Sequence, residues 1–369
     1  MESIKLYGVN IGGFLSQTED YSLTSVSKFI TVDDFRKIRD WGFNTIRLAV
    51  DFPFLFTLSE NNADRFSPIH SNFEYLDHIV SWAEELGMYL IIDLHKAPGH
   101  SFESSELHKN RIWKQNSPFQ DIFLGIWTHI AQRYHPHENV LFDILNEPVA
   151  PTAEDWNYLA EKTVEKIRMY TKTNWIVIES NLWGKCKTFP ELRKFDDENI
   201  IYSFHFYEPI SVTHQKAEWL KFTREYHPYF VSYPGKMDTL SEALEKGHDA
   251  DAKGLMNMFR DSQGMWDITR LESRMQPVFE FQQKHNVPIL CGEFGCIAYA
   301  HPKTRQNWLS DLITLFHKNS ISYTYWNYKN MHFGLCDYTL GFQDNPNYDE
   351  NRMDQASIQI LSRNTHKAP

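Results

Sequence analysis

The sequence predicts an α/β fold, one closed barrel of eight parallel strands wrapped by helices, and three observations carry that prediction. Runs rich in apolar and β-branched residues alternate about eight times with segments of helical hydrophobic period, the rhythm of repeated strand–helix units. At 369 residues with 42% hydrophobic content the chain can bury one large core, and barrels of the (β/α)8 TIM type extend well past the usual domain size. Two glutamates, in Leu145-Asn146-Glu147-Pro148 and Cys291-Gly292-Glu293-Phe294-Gly295, each stand just past the end of an apolar run, where α/β folds gather their chemistry. Residues 1–369 therefore read as a single barrel, with no second domain required.

Taken in order, the strands are expected at Lys5 to Asn10, Asn44 to Val50, Met88 to Leu94, Val140 to Leu145, Trp175 to Glu179, Ile200 to His205, Pro288 to Gly292 and Ser322 to Trp326. Between them, Phe73, Leu76, Ile79, Val80, Ala83 and Leu86 follow the three-and-four spacing of an amphipathic helix, as do Phe119, Ile122, Phe123, Ile126, Ile130 and Tyr134. Thr31-x-x-Asp34 and Thr152-x-x-Asp155 precede such patterns and mark helix starts, where a side-chain oxygen accepts from N–H groups left free in the first turn. From Ser211 to Asp267 the rhythm breaks into a long polar stretch with His227-Pro228 and Tyr233-Pro234-Gly235, read as a loop insertion over the end of the sixth strand. The connection Lys96 to Pro118, with Pro98-Gly99, His100 and Trp113, borders the same mouth.

Bulk properties narrow the substrate. A net charge of −11 disfavours nucleic acid, anionic membrane surfaces and polyanions, and points to a neutral partner. Aromatic residues make up 15% of the chain, a supply of flat surfaces that serves a core first and stacks on sugar rings second. Cys186, Cys291, Cys296 and Cys336 contain no Cys-x-x-Cys pair, which argues against structural zinc and against a disulfide framework. Met1 is followed by neither a basic nor an apolar leader region, so a cytoplasmic location is expected, a trimmed N-terminus being the alternative.

Placing the strand ends together collects Arg47, His95, Asn146, Glu147, His205, Tyr207, Glu293 and Trp326 on one face. Any one of them has an ordinary reading as a loop anchor, but eight converging polar and aromatic groups point to a site. Two carboxyls suit glycoside hydrolysis, in which one must be protonated to release the leaving oxygen and another ionised to meet the oxocarbenium-like carbon.

The segments Gly8-Val9-Asn10-Ile11-Gly12-Gly13, Asn44-Thr45-Ile46-Arg47, Asp93-Leu94-His95-Lys96-Ala97-Pro98-Gly99, Asn146-Glu147-Pro148, His205-Phe206-Tyr207, Gly292-Glu293-Phe294-Gly295 and Tyr325-Trp326-Asn327 occur in this order across nearly the whole chain. In that set the chain resembles the family 5 glycoside hydrolases, the cellulase-like branch of the retaining (β/α)8 enzymes. The resemblance implies Glu147 as acid/base and Glu293 as nucleophile, with Asn146 holding the sugar 2-hydroxyl. It implies Arg47 and Tyr207 on the nucleophile, His205 orienting Glu147, and His95 with Trp326 lining the −1 sugar subsite. Tyr7 and Phe14 depart from the family, standing where an Arg and a Trp are common, which leaves the outer subsites open; Phe14, Trp113 and Trp183 are candidate outer-subsite aromatics.

The implied reaction is retaining cleavage of glucose- or mannose-type β-linked oligosaccharides, with β-mannosidase or β-mannanase activity as the alternative to β-glucanase, and it calls for no cofactor and no metal. Glu293 beside Arg47 is expected to have a lowered pKa and Glu147 a raised one, with the two carboxyls about 5 to 5.5 Å apart. Two rivals make different demands. A metal-dependent barrel hydrolase would gather Asp93, His95, His205 and a glutamate around zinc. A non-catalytic carbohydrate-binding barrel would have no use for two glutamates.

Overall fold

A computed structural model of the chain describes residues 4–58, 66–103, 106–114, 116–217, 219, 231–237, 262–336, 353–363 and 365. Eight strands close a barrel: β1 (Tyr7–Leu15), β2 (Thr45–Asp51), β3 (Tyr89–Lys96), β4 (Val140–Asp143), β5 (Ile176–Glu179), β6 (Ile200–Phe206), β7 (Ile289–Phe294) and β8 (Ser322–Tyr325). Each pairs in parallel with its sequence neighbours, and β8 returns to β1 through Tyr7↔Tyr323, Gly8↔Thr324 and Val9↔Tyr325. All eight strands expected from the sequence are present, with ends that differ by a few residues.

The largest difference lies in β1, which runs on past Asn10 through Gly12-Gly13 to Leu15, with an irregular register between Ile11 and Leu15. Paired glycines read as punctuation in a sequence, but here a glycine lets another ring approach the strand. A Cβ at Gly12 would stand 2.3 Å from Trp326 Cη2.

Around the barrel lie α1 (Leu23–Phe29), α2 (Val32–Asp40), α3 (His70–Glu85), α4 (Pro118–Tyr134), α5 (Ala153–Ile167), α6 (Ile268–His285), α7 (Pro302–Lys318) and α8 (Gln355–Leu361). The apolar stripes face inward as their spacing requires: α3 buries Phe73, Leu76, Ile79, Val80 and Ala83, and α4 buries Ile122, Phe123, Ile126 and Ile130. Both predicted caps form. Thr31 N–H donates to Asp34 Oδ2 at 2.9 Å, and Asp155 N–H donates to Thr152 Oγ1 at 3.1 Å. Between β5 and β6 the crossover is a 3-10 segment, Cys186–Glu191, in place of a full helix.

The insertion predicted for 211–267 is described in part. A helical turn, Ile210–Thr213, follows β6, and Gly235–Lys236 pairs antiparallel with Met265–Trp266. The remainder of that reading, His227-Pro228 included, lies outside the described residues. All four cysteines are buried and unbridged. Among the described residues no helix is long and apolar enough to cross a membrane.

The inside of the barrel is layered. Near its base Leu6, Ile91, Leu141, Val177, Ile201 and Leu290 form an apolar cluster of their own. Side chains two residues apart along a strand share a face. Above Ile91, Leu141 and Val177 on that face stand Asp93, Asp143 and Glu179, all fully buried. This change of chemistry over one step is what the site is built on.

Candidate active site

Arg47 rises from β2 into the carboxylate layer with no exposed surface. Its Nε donates to Asp143 Oδ2 at 2.8 Å, Nη1 to Glu293 Oε1 at 2.9 Å and to Asn10 Oδ1 at 3.0 Å, and Nη2 to Glu179 Oε1 at 2.9 Å and Asn146 Oδ1 at 3.1 Å. Asp93 Oδ1 lies 3.2 Å from Nη2. One guanidinium thus faces four carboxylates from four strands, a use its planar fork of donors permits and a lysine could not match. Asn10 completes the frame by donating from Nδ2 to Gly292 O and Thr324 O, which ties β1 to β7 and β8.

The two glutamates face each other above this layer. Carboxylate oxygens of Glu147 and Glu293 lie within 4.8 Å of one another, with a ring nitrogen of His205 within the same distance of both. Glu293 is buried, and its Oε2 accepts from Tyr207 Oη at 3.0 Å. Glu147 is partly exposed and stands at φ 46°, in the left-handed region a non-glycine residue occupies only at a cost of order 1–2 kcal/mol. Its main chain is held there by the bond from its N–H to Glu179 Oε2 at 2.8 Å. His205 Nδ1 is 3.2 Å from Glu147 Oε1 and 3.7 Å from Glu293 Oε2, while Nε2 is 3.0 Å from Glu179 Oε1.

On the opposite side, His95 and Trp326 present parallel rings, 5.6 Å between centroids at 7°, and Asp93 Oδ2 holds His95 Nδ1 at 2.7 Å. The eight residues collected from the strand ends are therefore joined by contacts around Arg47 and the two glutamates.

The profile of the family described as Cellulase (glycosyl hydrolase family 5) matches residues 8–332. The chain belongs to that family. It is similar to Endoglucanase C of Acetivibrio thermocellus, 30% identical over 357 residues that cover 96% of this chain and 97% of the relative. It is also similar to Cellodextrinase A of Ruminococcus flavefaciens, 28% identical over 85% of this chain and 83% of the relative. In three dimensions it resembles Thermotoga maritima Cel5A, solved with a cellobiose substrate (TM-score 0.71, 23% identity, 96% of each chain) and with mannotriose (TM-score 0.68, 24% identity, 96% of each chain). This family 5 protein is accordingly an O-glycosyl hydrolase of the retaining β-glycosidase class.

Several sequence expectations for the hydrolase need correction. Phe14 cannot offer a face to a sugar: it is in the core, stacked on Phe29 and packed against the edge of Tyr75. Trp113 is buried as well, edge-on between His100 and Trp156. Of the three aromatics proposed for outer subsites, only Trp183 stays partly exposed; its Nε1 donates to Phe102 O and its N–H to Pro148 O, which sets it beside the Glu147 loop.

The pKa of Glu293 also departs from expectation, lying above the usual value. Burial is the largest cause, opposed by His205 and Arg47 and reinforced by Glu147. A lone Arg47 would have lowered it, but this one is divided among four partners. Burial also raises Asp143 well above its ordinary value, opposed by Arg47 and reinforced by Glu179 and Asp93. Burial works against ionisation of Glu179 too, yet His205 and Arg47 overcome it and lower that pKa.

The zinc set named for the metal-centred rival does not assemble: Asp93 and His95 pair with each other, and the potential ligand atoms that do come together are those of the two glutamates and His205.

The sequence reading missed Asn10, Asp143 and Glu179 as site residues. The signal was present for the last two, a carboxylate at an inward position of an otherwise apolar strand, where burying charge is costly unless it is paired.

Proposed function

We propose that this family 5 hydrolase cleaves β-linked glucose oligosaccharides by double displacement, with Glu293 as nucleophile and Glu147 as acid/base. The observation that carries the reading is the approach of the two carboxylates to within 4.8 Å. One oxygen of each group coming within that distance favours the roughly 5 to 5.5 Å spacing of a retaining pair over the roughly 6.5 to 9.5 Å that admits a water between them. Glu293 attacks the anomeric carbon while Glu147 gives its proton to the departing glycosidic oxygen. Glu147, now a carboxylate, then takes a proton from the water that displaces Glu293 and restores both groups.

The other residues follow from their contacts. Asn146 spends its carbonyl oxygen on Arg47, which leaves its amide N–H groups to donate to a sugar hydroxyl. Trp326 and His95 form floor and wall of the −1 subsite. Relatives named as an endoglucanase and a cellodextrinase favour glucose-type chains. A β-mannoside substrate is the second reading, favoured by Cel5A having been solved with mannotriose.

Incubation with activated 2-deoxy-2-fluoro β-glucosides and β-mannosides, followed by peptide mass mapping, tests the mechanism and the sugar together. The expected result is an adduct on the peptide bearing Glu293, formed faster with the glucoside. A label elsewhere, or none while natural oligosaccharides are hydrolysed, overturns it. Glu147→Gln is expected to lower kcat on cello-oligosaccharides by about 10²- to 10⁴-fold. Glycosylation by a dinitrophenyl glycoside, which needs no acid, should survive.

A further inference from the structure

Glu179 is the last residue of β5, and the strand end does not depend on its side chain. Its carbonyl accepts from Trp156 Nε1 at 2.8 Å, and the next N–H, that of Ser180, donates to Ser203 O at 2.9 Å. The carboxylate is free for other work, and both oxygens are taken. Oε2 accepts the N–H of Glu147 at 2.8 Å, and Oε1 accepts from Arg47 Nη2 at 2.9 Å while lying 3.0 Å from His205 Nε2. We propose that Glu179 is a positioning residue for glycoside cleavage, fixing the left-handed main chain of Glu147 with one oxygen and the ring of His205 with the other. Both reacting glutamates are thereby registered to a single buried anion. The proposal rests on the roles given above to Glu147 and Glu293.

The consequence is electrostatic as well as geometric. Burial alone would strip the proton from His205; Glu179 and Glu293 outweigh it and lift the ring well above its ordinary pKa, with hydrogen bonds to Glu147 and Glu179 adding to the rise. The imidazolium then stands between the glutamates through the reaction, although the charges of Glu147 and Glu293 alternate as proton and sugar move. Only the charge of Glu179 is constant. The other titratable groups of this layer are Arg47 and His95, both raised against the pull of burial by the carboxylates around them, together with Asp93 and with Asp143, which burial raises. His100, pushed down to about 4 by burial, and the raised Tyr207 and Cys291 are neutral across the working range.

Glu179→Gln preserves shape and removes the charge. The expected result is a pH profile of kcat/KM whose basic limb moves down by about one unit, because His205 without its constant partner gives up its proton at lower pH. Glu179→Asp, which keeps the charge, should hold the parent limb with a lower kcat. A profile lowered equally at every pH, as lost packing would give, overturns the proposal. In the parent, spectra of 15N-imidazole-labelled protein should show both nitrogens of His205 protonated at pH 7.5; a neutral ring overturns the proposal even if Glu179→Gln does not fold. The 2-fluoro adduct separates the two levels. With no adduct on Glu293 in the parent, the mechanism fails. With the adduct present and the limb unmoved, only the role of Glu179 fails.

Discussion

Ile91 and Asp93, Leu141 and Asp143, and Val177 and Glu179 stand two positions apart along their strands, and across that step the barrel interior passes from apolar packing to charge. The lower layer is stable for the ordinary reason, area removed from water at about 25 cal/mol per Å². The upper layer gains little of that kind. Buried ion pairs often do no better than hydrophobic residues of the same volume, and removing one partner is severe because it strands the others. The difference teaches that the barrel carries its charged tier for what stands on top of it.

Breaking the upper tier should give the larger effect. Arg47→Leu leaves Asp93, Asp143, Glu179 and Glu293 without their shared cation and is expected to cost about 3–5 kcal/mol in urea unfolding, with activity lost as Glu293 takes up a proton. In the lower tier, Leu141→Ala should cost about 2–5 kcal/mol, with the shape of the pH–activity profile intact, since no titrating group changes its partners.

The pH dependence of stability sharpens the contrast further. His205 is raised above its reference value of 6.5, so the stability from its charge is complete below that pH and is lost as pH rises through the elevated folded value. Glu179 is lowered below 4.5, so its contribution is complete above that pH and lost as pH falls through the depressed folded value. Urea midpoints should therefore be highest between these limits and decline at both ends. Leu141→Ala should lower that curve without bending it, and Glu179→Gln should flatten both shoulders. The smallest effect belongs to the rim: Lys96 and Glu103, paired at 2.8 Å but 30% and 46% exposed, should lose under about 1 kcal/mol on Lys96→Ala.

How far the sequence spoke for itself follows from the same layering. Strands buried on both faces read as near-continuous apolar runs, so all eight were legible, and a glutamate just beyond such a run could be placed at the barrel's mouth without coordinates. The facing of an aromatic is another matter. Phe14, Trp113 and Trp183 look alike in sequence, yet the first two pack inward and only the third keeps a partly exposed ring. The shift of Glu293 was illegible for a different reason: burial is its largest cause, set against His205 and Arg47, and neither the burial nor the sharing of Arg47 among four carboxyls exists until the barrel has closed. Glu179 stands, like Asp143, at an inward position of an apolar strand, but the partners that give it a task come from other strands and meet it only once the barrel closes.

The extension of β1 beneath Trp326 sets a clearance. With a Cβ at position 12 only 2.3 Å from the indole, the ring rests on bare backbone, at the lowest height this barrel allows. Every methyl group added there would be a spacer under the ring, lifting it away from the strand. The headroom of the proposed −1 subsite is thus decided on the first strand, more than three hundred residues before the tryptophan proposed to form its floor.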